Sequence, residues 1–120
     1  MPQRAEIVVR WESIVPPARP LTQSLMIYRT AWPEIRIALV LPGGAFDALV
    51  SASMEIRDGV AGSAVVTIPA TIDVGDPPQL RFPPPPNPSA LTRWSYWYAV
   101  SVVTDDYGSA ALVHGPLILL

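Results

Sequence analysis

The chain has no cysteine, no lysine, one histidine (His114) and one asparagine (Asn87). Without cysteine there is no disulfide framework, no thiolate metal site and no cysteine nucleophile, although the compartment stays open. All eight basic residues are arginine, a bias that reads as codon usage of a GC-rich genome. Charge of either sign is scarce, at 15% of residues against about 25% in an average soluble domain. Eight arginines against ten carboxylates give a net charge of −2, the wrong sign and size for general attraction to nucleic acid or an anionic membrane. No run approaches the roughly 18 to 20 continuous apolar residues of a membrane helix. The opening Met1-Pro2-Gln3-Arg4-Ala5-Glu6 lacks the apolar stretch of a signal peptide and reads as a mature end. The product is expected to be intracellular, or exported by a route that leaves no mark here.

What the chain does have is hydrophobic content and proline. Half of its 120 residues are hydrophobic, enough for one domain with its own core and too few residues for two. Fifteen prolines, roughly two and a half times average usage, cluster at 16–20, 77–78 and 83–88. Proline interrupts helix interiors and central ladders, so these clusters mark connections and strand edges. Between them lie short runs rich in Val, Ile, Trp and Tyr: 5–11, 24–29, 34–41, 52–57, 63–72 (kinked at Pro69), 79–82, 94–104 and 110–119. In the third run Ile35, Ile37, Leu39 and Leu41 alternate onto one face, and Met54 and Ile56 do so in the fourth. In the run from Trp94, alternation puts Tyr96, Tyr98, Val100 and Val102 on one side and Trp97, Ala99, Ser101 and Val103 on the other. Pro42-Gly43-Gly44, Asp58-Gly59 and Asp105-Asp106-Tyr107-Gly108 read as turns, the last as a hairpin. Residues 88–92 allow a single helical turn, and no proline-free window carries the helical period. The expectation is all-β: a single antiparallel, Ig-like β-sandwich of about seven to eight strands. Residues 1–20 read as a strand-bearing arm on a stiff proline spacer that holds it away from the body, and 21–120 as the sandwich.

Catalytic groups do not converge in the sequence. His114, with Ser109 or Ser13 and an acid, has no nucleophile-elbow motif around it. Asp105-Asp106 and the Asp73-Val74-Gly75-Asp76 segment read as turn residues rather than as cation ligands. Gly43-Gly44 and Gly59/Gly62 lack the lysine and the strand-to-helix context of a phosphate loop. No enzyme activity, cofactor or metal is expected. Binding signals are stronger, because Trp94, Tyr96, Trp97 and Tyr98 put four aromatics in five residues and cannot all face one core. An outward strip of this kind suits a protein partner or a sugar ring, or else lies under a loop such as the proline run. Pro84 and Pro85, within Pro83-Pro84-Pro85-Pro86, read as a polyproline II connection or as a ligand for an aromatic-grooved module. Trp11 and Trp32 are further candidates for burial between subunits.

The order of segments from Ser24 onward resembles a family: small β-sandwich domains of tailed-bacteriophage virion proteins, of the LtfC-like type, with distant likeness to the N-terminal domains of baseplate upper proteins. The residues that carry the resemblance begin with Leu25-Met26-Ile27-Tyr28-Arg29, Glu34 to Leu41, Gly43-Gly44 and Ala52-Ser53-Met54-Glu55-Ile56-Arg57-Asp58. They continue with Ser89-Ala90-Leu91-Thr92, Trp97-Tyr98-Ala99-Val100, Asp106-Tyr107-Gly108 and His114-Gly115-Pro116-Leu117-Ile118. Two departures stand out: Phe46-Asp47-Ala48-Leu49 replaces the family's Asp-Leu-Thr-Gly, and the proline run is longer. The resemblance implies a non-enzymatic virion structural protein (capsid decoration, minor capsid, or tail and fibre attachment) that is assembled in the host cytoplasm. Its implied partners are other virion proteins and further copies of itself, with no nucleic acid and no membrane. The alternative is a carbohydrate- or host-surface-binding sandwich using Trp94 and Trp97.

Overall fold

The computed structural model describes residues 4–10, 20–40, 49–73, 79–104 and 108–120. It is all-β, with two mostly antiparallel sheets packed face to face as a sandwich. The strands are β1 (Arg4–Arg10), β2 (Leu21–Thr22), β3 (Leu25–Ile27), β4 (Glu34–Val40), β5 (Leu49–Arg57), β6 (Ala64–Pro69), β7 (Thr71–Asp73), β8 (Gln79–Phe82), β9 (Ser95–Thr104) and β10 (Gly108–Leu119). One sheet runs β1-β4-β8-β7. The other runs β2-β10-β9-β5-β6, with β3 also pairing β10.

Among the described residues ten strands stand where about seven or eight were expected, because one run is divided and an unexpected short strand, β2, precedes another. Residues 63–72 were expected as one strand kinked at Pro69. There the chain leaves the six-stranded sheet, and Ala70 N–H donates to Ala52 O at 3.0 Å as β7 departs for the other sheet. Proline donates no ladder bond, so the end of an edge strand is a position that tolerates it. β2 lies ahead of the run expected at 24–29, which holds β3, and between the two strands, at Gln23-Ser24, the edge bends across β10.

The arm does not stand away from the body. β1 lies parallel along the open edge of β4, in register from Arg4 opposite Glu34 to Arg10 opposite Val40. β2 and β3 likewise run parallel to β10, so parallel pairing is confined to the N-terminal strands of a fold otherwise antiparallel among the described residues. Alternation within a run marks which residues face inward but not the direction of the neighbouring strand. Trp11, Ser13, the spacer residues Pro16 to Arg19, Leu41, the Gly43-Gly44 turn, residues 46–48, Asp76 and Asp105-Asp106-Tyr107 lie outside the described residues.

The core is built by period-two alternation from both sheets. Ile35, Ile37, Leu80 and Phe82 face inward from one, and Met54, Ile56, Tyr98, Val100, Val102, Leu112, Val113 and Leu117 from the other. Burial of each large apolar side chain stabilises the fold by about 1.5–3 kcal/mol. Leu91 is fully buried just after a 3-10 turn at Pro88–Ala90, the single turn expected there. A second 3-10 turn, Arg29–Ala31, leads into β4. Pro85 is buried while Pro84 is exposed, so part of the proline run packs on this domain itself. Trp32, a candidate for burial between subunits, packs half-buried against the chain's own core.

Candidate interaction surface

The two outer faces of the sandwich differ in charge. On the four-stranded sheet, Glu34 and Arg36 of β4, Arg81 of β8 and Asp73 of β7 point outward. Arg36 Nε donates to Glu34 Oε1 at 2.6 Å and its Nη1 to Gln79 Oε1 at 3.4 Å, and Arg81 Nε lies 2.7 Å from Asp73 Oδ2. Arg36 and Arg81 are directly opposite in register, and each guanidinium is neutralised by an acid beside it. Such half-exposed pairs contribute at most about 1 kcal/mol each. This face is organised for water.

The outer face of the six-stranded sheet carries almost no charge. Its only ionic groups along the paired strands are Glu55 and Arg57 of β5. Arg57 Nε and Nη2 both donate to Glu55 Oε2, at 2.9 and 2.7 Å, so the pair cancels locally. No charged residue lies on β9 or on β10. The register sets outward residues in rows: Met26, Ile118 and Ser95 at one end, then Pro116, Trp97 and Arg57, then His114, Ala99 and Glu55. Beyond these come Ala111, Ser101 and Ser53, and finally Ser109, Val103 and Ser51. Alternation on β9 is as expected, with Tyr96 and Tyr98 inward and Trp97 outward.

Trp97 packs edge-on against His114, ring centroids 5.2 Å apart at 62°. The lone histidine is therefore a flank of an aromatic patch, and Ser109 lies near the far end of the same strand. Among the described residues no three of His, Asp and Glu come together. Trp94 and Trp97 do not form one aligned strip. Trp97 sits half-buried within the ladder, whereas Trp94 precedes β9 and is 71% exposed. Trp94 O accepts from Leu119 N–H at 2.8 Å, which holds it beside the end of β10. Exposed Met26, Tyr28 and Leu120 lie at that same end, where Leu120 N–H donates to Ile27 O. Sequence reasoning singled out the tryptophans but missed Met26, Ile118 and Pro116. Pro116 comes to lie beside Trp97, and Met26 beside Ile118, only through the β3–β10–β9 register.

Behind this face, Tyr98 Oη donates to the Gln23 carbonyl at 2.5 Å. Burial pushes the phenol well above its ordinary pKa, because the phenolate would lose its hydration. The bond ties β9 to the bend between β2 and β3 and so places the strand that carries Met26.

No protein-family model matches the chain, and no curated protein matches it significantly.

Proposed function

We propose that this chain is a non-enzymatic structural subunit of a tailed-phage virion, acting by protein–protein assembly after synthesis in the host cytoplasm. The observation that supports it most is the contrast between the two outer faces: one laced with ion pairs, the other nearly free of charge and carrying Trp97, Ile118, Pro116 and Met26. Apolar area of that kind contributes about 25 cal/mol per Å² when a neighbour covers it. The order of segments that resembles virion sandwich domains supplies the setting. Mass spectrometry of gradient-purified particles, with immunogold labelling, tests the reading. It predicts the chain in particles at fixed stoichiometry, and finding it only as free protein would sink the idea.

A second reading has one observation in its favour, the 71% exposure of Trp94. An indole standing free at the end of a sandwich is a stacking platform for a sugar ring. A glycan array separates the two readings: sugar binding abolished by Trp94→Ala, with particle incorporation intact, supports the carbohydrate role.

A further inference from the structure

We propose that the outer face of the six-stranded sheet binds the same face of a second copy of this chain, related by a two-fold axis that crosses the strands at Ala99. This names the partner of the assembly surface above, and its use in a virion rests on that reading. The face is complementary to itself in relief. One end of the face is raised by Met26, Ile118, Pro116 and Trp97. The other end is low, floored by Ala111, Ser101 and Ser53. His114, Ala99 and Glu55 form the row between them.

A two-fold axis lying in the interface along that middle row keeps the lateral order of strands and reverses their direction. Each raised end then falls on the other copy's low end: Trp97 over Ser101 of the second copy, and Pro116 over its Ala111. An isologous interface requires a surface complementary to itself, and a raised half beside a low half meets that requirement. A flat or uniformly bulky face would not.

Charge and area agree. The Glu55–Arg57 pair is neutral in itself and lies on β5, to one side of the uncharged β9 and β10. Bringing two copies together therefore gathers two cations and two anions on β5, with Glu55 opposite Glu55 on the axis row and an Arg57 of each copy beside them, while β9 and β10 bring no charge to the interface. The four-stranded sheet offers a poorer match, since two ion pairs, Arg36–Glu34 and Arg81–Asp73, would be desolvated there against one here. At about 4.8 Å between strands and about 3.3 Å per residue, the lengths of β2, β3, β10, β9, β5 and β6 give a face of roughly 650 Å². That approaches the share of one partner in an interface of standard size, about 800 Å².

Sedimentation velocity over a concentration series on the full chain tests this. The expected result is a monomer–dimer equilibrium. Ser101→Arg and Ala111→Arg should each weaken it at least tenfold, while Thr71→Arg on the opposite sheet leaves it unchanged. Circular dichroism checks that each variant is folded. Because the protein has no cysteine, Ala99→Cys supplies a second readout. Two copies should be joined by a short bismaleimide through positions beside the axis, whereas Thr71→Cys should give no cross-linked dimer. A monomer at every concentration, or a dimer indifferent to both arginine variants and not joined through Ala99→Cys, overturns the proposal. Particles that contain the chain with this face on a different protein overturn the dimer and leave the virion reading intact. A dimer of the expected kind in a protein absent from particles overturns the virion reading and leaves the dimer.

Discussion

The Tyr98 hydroxyl reaches across β10 to the main-chain carbonyl of Gln23, 2.5 Å away, and the residue beneath that crossing, opposite Tyr98 in register, is Gly115. A Cβ at Gly115 would lie 2.2 Å from the Gln23 oxygen and 2.8 Å from its carbonyl carbon. Gln23 N–H also donates to His114 O at 2.9 Å, so the bend between β2 and β3 is pinned at both of its polar groups. The glycine there is a matter of space, since backbone must pass directly over backbone.

Gly115→Ala should therefore destabilise the fold by roughly 3 kcal/mol or more, because neither clashing atom belongs to a side chain that can swing aside. Hydrogen exchange should report the loss locally, with faster exchange in Leu25–Ile27 before any change in β5. An unchanged thermal midpoint would show that the crossing has been misread.

Gly108 is a glycine for a different reason. Its φ is +67° and nothing lies within 4 Å of a Cβ placed there, so the cost of substitution is conformational. Gly108→Ala should cost about 1 kcal/mol, and Gly108→Asn less, because asparagine tolerates the left-handed region better. Chemical denaturation of the pair measures the difference, and equal costs would contradict this account.

Tyr98→Phe removes the donor and leaves the Gln23 carbonyl without it, a loss of about 1–3 kcal/mol. The phenol also sets an alkaline limit. Its folded pKa is raised above the ordinary value of about 10. The stability it contributes is therefore complete below pH 10 and falls as pH rises further, because the unfolded chain loses the proton first. Urea denaturation between pH 8 and 11 should show that decline in the parent, and a shallower one in Tyr98→Phe.

Trp32 has a buried indole N–H with no acceptor among the described residues, although its ring packs on the core. Removing an unpaired buried donor relieves its desolvation cost. Trp32→Phe should be neutral or stabilising by up to about 1 kcal/mol, whereas Trp32→Ala should cost about 2 kcal/mol or more through lost packing. Thermal melts of the two variants distinguish these contributions.

Strand positions and facing were legible because both follow from local pattern. Ile35 and Ile37, Met54 and Ile56, and Tyr96 to Val102 alternate in the sequence and are buried as that alternation dictates. Proline positions marked the breaks, and Pro69 marked a change of sheet. Parallel pairing of β1 with β4 was not legible, because nothing in residues 5–11 encodes which edge they will meet. The bend at Gln23-Ser24 was hidden for the same reason: Gly115 and Tyr98, which shape it, are more than seventy residues away in the chain. Of the surface, the tryptophans announced themselves by type. Met26 and Pro116 did not, since each is ordinary until the register sets Pro116 beside Trp97 and Met26 beside Ile118.

The seam between β3 and β10 joins residues 25–27 to residues 117–119, so the early strand has no partner in its sheet until the late one arrives. During synthesis Leu25 and Ile27 must wait uncovered until Leu119 has cleared the ribosome. Such distant closure makes folding slow, on the millisecond-to-second scale of β-sandwiches. Ribosomes clustered on one message would hold many such half-closed chains near one another. A sequence without lysine has fewer charged gatekeepers to keep them apart in that interval.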